Sequence, residues 1–398
     1  MSTSGRAMRV LFLTHSYPRV PGDAAGSFLW HLAIALRGEG VKVRVVAPSS
    51  EDLPAHEVFE GIPVDRFRYA PRRYETLAYT GNMATEVQRS WSARLALVGF
   101  LGAQFTLATR IRREFQPDVV HAHWWFPGGL VGSWVAGLGH LPMVTTMHGT
   151  DVRLARAKVF AQPLFRRVMR HSAAVTTVSR WLADEVRSLM PELDPLVAPM
   201  PVSTGLFAPA AAGGRDPSRL LFVGRLNAQK GIGDLLEALA RMRHSATLEV
   251  IGDGPDRAAL VARTEALGIA GRVTWRGALP QPALPEAYRR AAALVVPSIG
   301  EGLGLVAVEA QLCKTPVVAY ASGGVTDTIR DGETGRLVPP GDVAALAAAL
   351  DALLADPASA QALAQGGRMH AMALFAPESA ARRYAELYRR VTTRAVDR

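Results

Sequence analysis

Two glutamates, Glu301 and Glu309, flank a pair of glycines in the segment Gly-Glu-Gly-Leu-Gly-Leu-Val-Ala-Val-Glu. The segment follows an apolar run over 293–296 that predicts a buried strand, and it enters an apolar-periodic stretch that predicts a helix from residue 305. A strand, a glycine-bearing turn and a helix N-terminus form an anion site, because free N–H groups and the helix dipole point to one place. The glutamates suit hydroxyl groups, which donate hydrogen bonds to carboxylates. Phosphate and hydroxyls together predict a nucleotide-sugar.

The position of Glu309 supports this interpretation. It lies five residues after Gly304, or roughly 7 Å along a helix axis, and helical side chains lean toward the N-terminus. The alternative is a solvated Glu301 and an ordinary glutamate on the helix face. Because two glutamates at this spacing are weak evidence alone, the interpretation depends on the other motifs.

Two cations follow the first predicted strand of the second half, over 220–223, in the sequence Val-Gly224-Arg225-Leu-Asn-Ala-Gln-Lys230-Gly. An arginine can hold a diphosphate through two parallel hydrogen bonds, and a lysine adds a point charge. Together they would stabilise a phosphate leaving group without a metal. The alternative is a pair of solvated surface cations.

A second glycine-bearing loop reads Val-Ile-Gly252-Asp253-Gly254-Pro255. As a dinucleotide motif it lacks the third glycine, yet it fits a place near a base or phosphate. Asp253 could instead cap the helix that begins at Pro255.

In the first half, His148 ends a strand predicted over 144–147 and precedes Gly-Thr-Asp151. Ligands bind at the carboxyl ends of strands in open α/β sheets. His148 would serve transition-state charge or a sugar hydroxyl, although a lone histidine is more often a structural group.

The pair His121 and His123 ends another strand, next to Trp124 and Trp125. No further histidine or cysteine stands at metal-ligand spacing. We therefore place His123 and the two tryptophans on the acceptor side of the site and expect no metal.

A loop with Gly22 and Gly26 follows the first predicted strand and opens the first helix. Glycines allow a ligand to approach the backbone closely. Asp23 or Ser27 could equally be the cap of an ordinary loop.

At 398 residues, the chain is too long for one core and fits two domains. Apolar runs alternate with helix-period segments in both halves, which predicts two parallel, doubly wound α/β domains facing across a cleft. The stretch 191–218 is rich in Pro, Ala and Gly and predicts the linker. We place an N-terminal acceptor-binding domain at 1–200, a nucleotide-sugar domain at 201–376 and a C-terminal amphipathic helix at 377–398.

The single cysteine, Cys313, precludes an intrachain disulfide and fits a reducing cytoplasm. No stretch reaches the roughly 18 apolar residues of a membrane span. Residues 1–200 contain 23 lysines and arginines against 16 acidic residues, whereas 201–398 contain 22 against 19. The basic first half predicts an anionic partner. Nucleic acid is not expected, because no aromatic stacking platform or known binding module joins the cations.

Together the motifs resemble glycosyltransferase family 4, the retaining nucleotide-sugar transferases of GT-B fold. The resemblance covers nearly the whole chain in the family's order. The matching segments are Gly22–Gly26, His148-Gly-Thr-Asp151, Val223-Gly-Arg-Leu, Lys230-Gly, Ile251-Gly-Asp-Gly-Pro255, Glu301-Gly-x-Gly-x4-Glu309, Thr315-Pro-Val-Val and Asp331-Gly-x-Thr-Gly-x-Leu-Val. Lys314 departs from the pattern, since the family often has glycine there.

The resemblance implies specific roles. Arg225 and Lys230 would neutralise the diphosphate, Glu309 would bind the ribose hydroxyls, and His148 would contact the sugar near the reacting carbon. Glu301 and the backbone from Gly302 to Leu305 would hold the donor sugar and β-phosphate, with no metal or other cofactor. The tail helix would cross back to pack on the N-terminal domain. Catalytic roles fall to His148, Arg225, Lys230 and Glu301. The donor-binding set is Gly22, Gly26, Asp151, Gly224, Gly252, Gly254, Gly302, Leu303, Gly304, Leu305 and Glu309.

The expected reaction transfers a hexose from a UDP- or GDP-sugar to a glycan, lipid-linked or small-molecule hydroxyl with retained configuration. Alternatives are a nucleotide-sugar-binding subunit without catalysis and an epimerase of the same fold. A basic, apolar stretch over 153–170 would contact an anionic bilayer or would be a packed helix with a solvated basic face. We expect a cytoplasmic protein, at the inner face of the membrane if the first alternative holds.

Overall fold

The computed structural model describes residues 6–50, 53–79, 83–210 and 214–396. The chain forms two compact units. The first comprises Met1–Val178, Leu182–Pro201 and Pro377–Arg398, and the second comprises Ser179–Trp181 and Val202–Ala376.

In the described residues, the first unit contains an eight-stranded sheet with the strand order β3-β4-β2-β1-β5-β6-β7-β8. Its strands are parallel except for β3, which runs antiparallel to β4. The strands are Met8–Leu13 (β1), Val41–Pro48 (β2), His56–Phe59 (β3), Ile62–Phe67 (β4), Val119–His123 (β5), Met143–Met147 (β6), Ala174–Thr177 (β7) and Leu196–Val197 (β8). The helices are Ser27–Gly38 (α1), Met83–Arg89 (α2), Trp91–Phe115 (α3), Leu130–Gly139 (α4), Thr150–Ala157 (α5), Gln162–His171 (α6) and Arg180–Leu189 (α7).

The second unit contains a six-stranded, all-parallel sheet with the order β11-β10-β9-β12-β13-β14. Its strands are Arg219–Val223 (β9), Thr247–Ile251 (β10), Val273–Gly277 (β11), Ala293–Val296 (β12), Val317–Tyr320 (β13) and Arg336–Val338 (β14). Its helices are Ile232–Arg241 (α8), Arg257–Ala266 (α9), Leu284–Arg290 (α10), Leu305–Leu312 (α11), Val325–Thr328 (α12), Val343–Ala355 (α13) and Pro357–Phe375 (α14). Continuous apolar strands with buried faces are typical of parallel sheets covered by helices on both sides.

The last helix, Pro377–Val396 (α15), belongs to the first unit. Its apolar face is buried, and two of its tyrosines, also buried, contact residues of the first sheet. The Tyr388 hydroxyl lies 2.7 Å from His121 Nδ1, and the Tyr384 hydroxyl lies 3.2 Å from Thr146 Oγ1. These buried polar contacts fix the register of the tail helix on the first sheet.

Among the described residues, no single helix is long and apolar enough to cross a membrane. One pair, Val343–Ala355 with Pro357–Arg394, meets the length and composition requirements jointly, across a bend of 103°.

Candidate active site

The strand order of the second unit places β9 beside β12, where the order reverses. In open α/β sheets, ligands bind outside the carboxyl ends of the strands at this point. The loop after β9 carries Arg225 and Lys230, and the loop after β12 carries Glu301. The topology therefore brings the predicted phosphate-binding and sugar-binding segments to one edge.

The two loops are joined by an ion pair. Lys230 Nζ donates to Glu301 Oε2 at 2.7 Å, and the side chains are 20% and 18% exposed. The turn at Lys230 is fixed by Asn227, whose side-chain oxygen accepts from the Lys230 N–H at 3.2 Å. Two predicted catalytic residues, Lys230 and Glu301, are therefore in contact, at a place that solvent can still reach.

Gly231 explains how close the two loops can come. Its φ is +65°, and a Cβ there would lie 1.9 Å from the Pro297 carbonyl oxygen. Only glycine fits such a left-handed, crowded position without strain. Arg225, in the same loop, is half-buried.

The loop from Glu301 to Gly304 ends at the N-terminus of α11, with Gly304 as N-cap at φ +83°. The Gly302 carbonyl accepts from Ser179 Oγ at 2.7 Å, and the Glu301 carbonyl accepts from the Gly324 N–H at 2.7 Å. These two carbonyls are hydrogen-bonded and Leu303 is buried, at 5% exposure. The loop is therefore fixed in place, and its N–H groups are available to an anion.

Glu309 is a buried residue, 7% exposed, on the second turn of α11. The Tyr288 hydroxyl donates to its Oε2 at 2.7 Å. Burial raises the pKa of Glu309 to about 7, although hydrogen bonds from Tyr288 and Gln281 oppose the shift. A buried, hydrogen-bonded side chain does not fit the alternative in which Glu309 is an ordinary glutamate on the helix face.

This pKa predicts a pH-dependent stability. Between about pH 4.5 and pH 7 the folded protein keeps a proton on Glu309 that the unfolded chain releases, so stability falls as pH rises. The loss is about 1.4 kcal/mol per pH unit, or about 3 kcal/mol over the window. Denaturant titrations of Glu309→Gln at pH 5, 6 and 7 should lack this slope relative to the wild type. Glu286→Gln, at an exposed position of α10, should keep it; equal slopes in all three proteins would contradict the prediction.

The predicted donor-binding glycines after β9 and β10 have a packing role. Gly252 has φ +142°, and a Cβ there would lie 1.8 Å from the Gly224 carbonyl oxygen. A Cβ on Gly254 would lie 2.3 Å from the Leu226 carbonyl oxygen. The close approach that these glycines permit is between the two loops themselves, and their contact with a donor stays a prediction.

In the first unit, His148 stands in an aromatic cluster at the end of β6. Its ring centroid lies 4.3 Å from Trp124 and 5.3 Å from Phe28, and its Nε2 is 3.3 Å from His123 Nδ1. Burial lowers the pKa of His148 well below its usual range, and His123 and His15 add to the shift. A neutral imidazole can donate a hydrogen bond to a hydroxyl group and accept one from it. Of the two roles predicted for His148, this favours contact with a sugar hydroxyl over stabilisation of transition-state charge.

Asp151 organises the loop that carries His148. Its carboxylate, 3% exposed, accepts from the backbone N–H groups of His148 at 3.1 Å, Gly149 at 2.9 Å and Trp125 at 3.2 Å. Burial raises the pKa of Asp151, while these N–H groups lower it. The carboxylate oxygens are thus occupied by the backbone, and direct donor contact by Asp151 stays a prediction.

Asp151→Asn should destabilise the protein, since an amide NH2 would face donors where an oxygen now accepts. We expect a loss of about 2 kcal/mol in the free energy of unfolding, measured by urea denaturation. Asp184→Asn, in an exposed ion pair with Arg187, should change it by less than about 0.5 kcal/mol. Equal effects of the two substitutions would argue against this role.

The tryptophans predicted for the acceptor side differ from each other. Trp125 is 1% exposed, packs edge-on against Phe165 and donates from Nε1 to the Asp151 carbonyl at 2.7 Å. Trp124 lies between the His15 and His148 rings. His123 is fully buried. Trp124 and Trp125 both line the pocket described next, whereas His123 does not; acceptor contact by any of the three stays a prediction.

A pocket of about 460 Å³ opens beside this cluster, within the first unit. Its lining includes the polar groups of His15, Tyr79, Trp124 and Asp151 and is otherwise mainly apolar. Burial lowers the pKa of His15 to about 4. Sequence reasoning missed His15, although it follows β1 at the point where the strand order reverses. Its place just after the first predicted strand is the sequence signal that could have found it, since ligands bind at the carboxyl ends of such strands.

The loop with Gly22 and Gly26 has left-handed φ values of +82° and +72°. A Cβ on Gly26 would lie 2.6 Å from the Ser16 carbonyl oxygen. The glycine thus permits close packing against the segment after β1, and donor binding by this loop stays a prediction. Within the described residues, no group of three or more His, Cys, Asp or Glu side chains is placed to hold a metal ion.

Comparison with known proteins decides the family. Residues 25–204 match the family described as Glycosyltransferase Family 4, and residues 211–370 match Glycosyl transferases group 1. A glycogen synthase from Mycobacterium tuberculosis is 31% identical, over 96% of this chain and 94% of the relative. This chain belongs to glycosyltransferase family 4. A second relative of this family 4 glycosyltransferase, the D-inositol 3-phosphate glycosyltransferase of Thermomonospora curvata, is 33% identical over 89% of this chain and 88% of its own.

Solved structures show the same fold. A sucrose-phosphate synthase from Thermosynechococcus elongatus superposes with a TM-score of 0.80 at 24% identity, covering 97% of this chain and 99% of the other. Anabaena HepE, solved in complex with UDP-glucose, superposes with a TM-score of 0.73 at 20% identity, covering 96% and 100%. The expectation of a GT-B fold, with two Rossmann-like α/β domains, is confirmed.

Proposed function

We propose that this family 4 glycosyltransferase moves a hexose from a UDP- or GDP-sugar to an acceptor hydroxyl, with retained configuration and without a metal. The observation that carries the proposal is the ion pair between Lys230 and Glu301 at the carboxyl ends of β9 and β12. A cation and a carboxylate held side by side can serve a diphosphate and a sugar hydroxyl in the same ligand.

In this proposal the positive charge for the leaving diphosphate comes from the protein. Arg225 and Lys230 supply cations, and the N–H groups at the start of α11 supply the helix dipole. The free leaving phosphate then assists removal of the acceptor proton. These groups do the electrostatic work that a metal ion does in other transferases.

In this proposal, Glu309 and Glu301 bind the ribose and the transferred sugar of the donor. Glu309, buried beside Tyr288 on α11, would accept from the ribose hydroxyls. Glu301, next to the loop that ends at Gly304, would accept from a hydroxyl of the transferred sugar.

The first unit supplies the acceptor side. Trp124 lines its pocket, whose apolar lining includes Leu97, Phe126 and Leu164, and the neutral His148 packs against Trp124. The apolar lining suits a lipid-linked acceptor better than a fully hydrated glycan. We therefore place the enzyme in the synthesis of a polysaccharide or a glycolipid.

Membrane contact would follow from such an acceptor. Lys158 and Phe160 line this pocket, and Phe160 and the neighbouring Val159 are 81% and 78% exposed. Flotation with anionic vesicles should carry more protein than flotation with neutral vesicles, because cations and exposed apolar groups act together at a charged bilayer. Equal flotation would contradict membrane contact. The cytoplasmic location stays a prediction.

A thermal-shift panel of UDP- and GDP-sugars tests the donor. A ligand that binds the native state raises its melting temperature, and UDP-glucose is the first candidate because HepE was solved with it. Turnover of that donor should persist in EDTA, and the product should keep the anomeric configuration by NMR. No shift with any nucleotide-sugar at millimolar concentration would overturn the proposed donor class.

A further inference from the structure

The second unit contains another pocket, of about 460 Å³, at the edge of the sheet opposite the donor loops. Pro217, Ala292 and Pro316 line it, and they lie one or two residues before β9, β12 and β13, at the amino ends of these strands. Arg225, Lys230 and Glu301 follow strands at the carboxyl ends. The pocket is therefore separate from the donor site within this unit.

The charged lining of this pocket is basic. Arg215 and Lys314 both line it, and Arg215 Nη2 donates to the Lys314 carbonyl at 2.6 Å. None of the described residues that line the pocket is acidic. The remaining wall offers the amides of Gln361 and Gln365 and an apolar surface that includes Leu353 and Leu354. Such a wall matches an anionic head on a partly apolar body.

Lys314 is held in a strained backbone conformation. Its φ is +58°, immediately after α11 and its C-cap Cys313. The Thr315 N–H bonds to the Ala310 carbonyl at 2.8 Å, and the Lys314 N–H bonds to the Gln311 carbonyl at 2.9 Å. This is the helix-ending arrangement in which glycine is favoured at the left-handed position. A lysine there costs stability, and such outliers are found where a side chain is needed for function.

We propose that this pocket binds a small organic anion, with a phosphate or carboxylate head held by Arg215 and Lys314. The apolar body of the ligand lies against Leu353 and Leu354, and its polar groups reach Gln361 and Gln365. The site adds a ligand that is neither the donor nor the acceptor of the proposed transfer.

Calorimetry on the full chain tests the proposal with four probes: hexyl phosphate, hexanoate, inorganic phosphate and 1-hexanol. The nucleoside diphosphate of the donor found by thermal shift, added at saturation, keeps the phosphate probes out of the donor site. We expect hexyl phosphate or hexanoate to bind at least about tenfold more tightly than phosphate or hexanol, because only they combine charge and apolar surface. The tighter of the two identifies the head group. Absence of binding by both organic anions at millimolar concentration would overturn the proposal.

Lys314→Gly provides the sharpest variant. It relieves the left-handed strain, so the melting temperature should rise by about 2 °C, while affinity for the tighter probe should fall about tenfold. Arg215→Gln should lower that affinity by at least as much. Arg336→Gln, at an exposed arginine on β14 outside the pocket, is the matched control and should bind normally.

Unchanged affinity in Lys314→Gly would place the probe elsewhere and refute the assignment. That variant keeps the proposal testable even if Arg215→Gln fails to fold, because glycine is the residue its backbone conformation favours. An equal loss of affinity in Arg336→Gln would show a general charge effect and would also refute it.

Discussion

Lys230→Ala should lower kcat by about 10²-fold or more, with a much smaller change in the KM for the donor. The charge on the leaving diphosphate grows as the glycosidic bond breaks, so a cation beside it contributes more to the transition state than to the ground state. The structure supports a place for Lys230 near the diphosphate, because its ammonium group is hydrogen-bonded to Glu301 at the carboxyl ends of β9 and β12. Steady-state kinetics with the donor found by thermal shift provide the measurement.

The ion pair adds a second expectation. Without Lys230, the Glu301 carboxylate has lost its cation and repels the incoming diphosphate. Lys230→Ala should therefore raise the donor Kd, and adding Glu301→Gln should restore part of that binding while turnover stays low. Such non-additivity in a double-mutant cycle is expected for residues in contact.

Lys42 gives a matched control, since it is an exposed lysine on β2 in the other unit. Lys42→Ala should have wild-type turnover and donor affinity. If Lys230→Ala also turns over at the wild-type rate, the catalytic role of Lys230 is wrong, whatever its effect on binding.

The strongest apolar periodicities predicted their elements well. The strand predicted over 293–296 has those bounds in the structure, and the helix predicted from residue 305 begins at Leu305. Each is mainly apolar and has a clear boundary residue. The C-terminal helix predicted at 377–398 is Pro377–Val396 in the structure, and residues 397–398 lie outside the described residues.

The missed elements have physical reasons. The α14 helix contains Gly366 and Gly367, which lower helix propensity. The fold requires Gly366, because a Cβ there would lie 2.2 Å from the Glu333 carbonyl oxygen. The β3–β4 hairpin turns through Glu60 and Gly61 at φ +45° and +88°. An Asn-Gly or Asp-Gly would have signalled that turn, whereas glutamate did not.

The candidate site shows the same division between local and distant information. The Asp151 contacts are local, since the carboxylate binds N–H groups two and three residues before it. The pair of Lys230 and Glu301 spans 71 residues, and it depends on β9 lying beside β12. Strand order is a property of the whole sheet, so the sequence could predict both residues but not their contact.

Gly252→Ala should destabilise the second unit by about 3 kcal/mol or more. The added Cβ would lie 1.8 Å from the Gly224 carbonyl oxygen, and the φ of +142° is one that side chains rarely adopt. The clash is with backbone on a neighbouring strand end, so no side-chain movement can relieve it. The sequence alone suggested another reason for this glycine, namely close approach of a donor phosphate.

The two reasons predict different results. If donor approach alone required glycine, Gly252→Ala would unfold at the wild-type urea concentration and would only bind the donor less tightly. If loop packing requires it, the unfolding midpoint falls even without ligand. Gly233→Ala is the control, because nothing lies within 4 Å of its added Cβ on α8, and it should gain up to about 1 kcal/mol. A lower unfolding midpoint for Gly252→Ala, together with a higher one for Gly233→Ala, would show that glycine is required at residue 252 for the loops after β9 and β10 to pack together. Access of a ligand to these loops would then be a consequence of that packing.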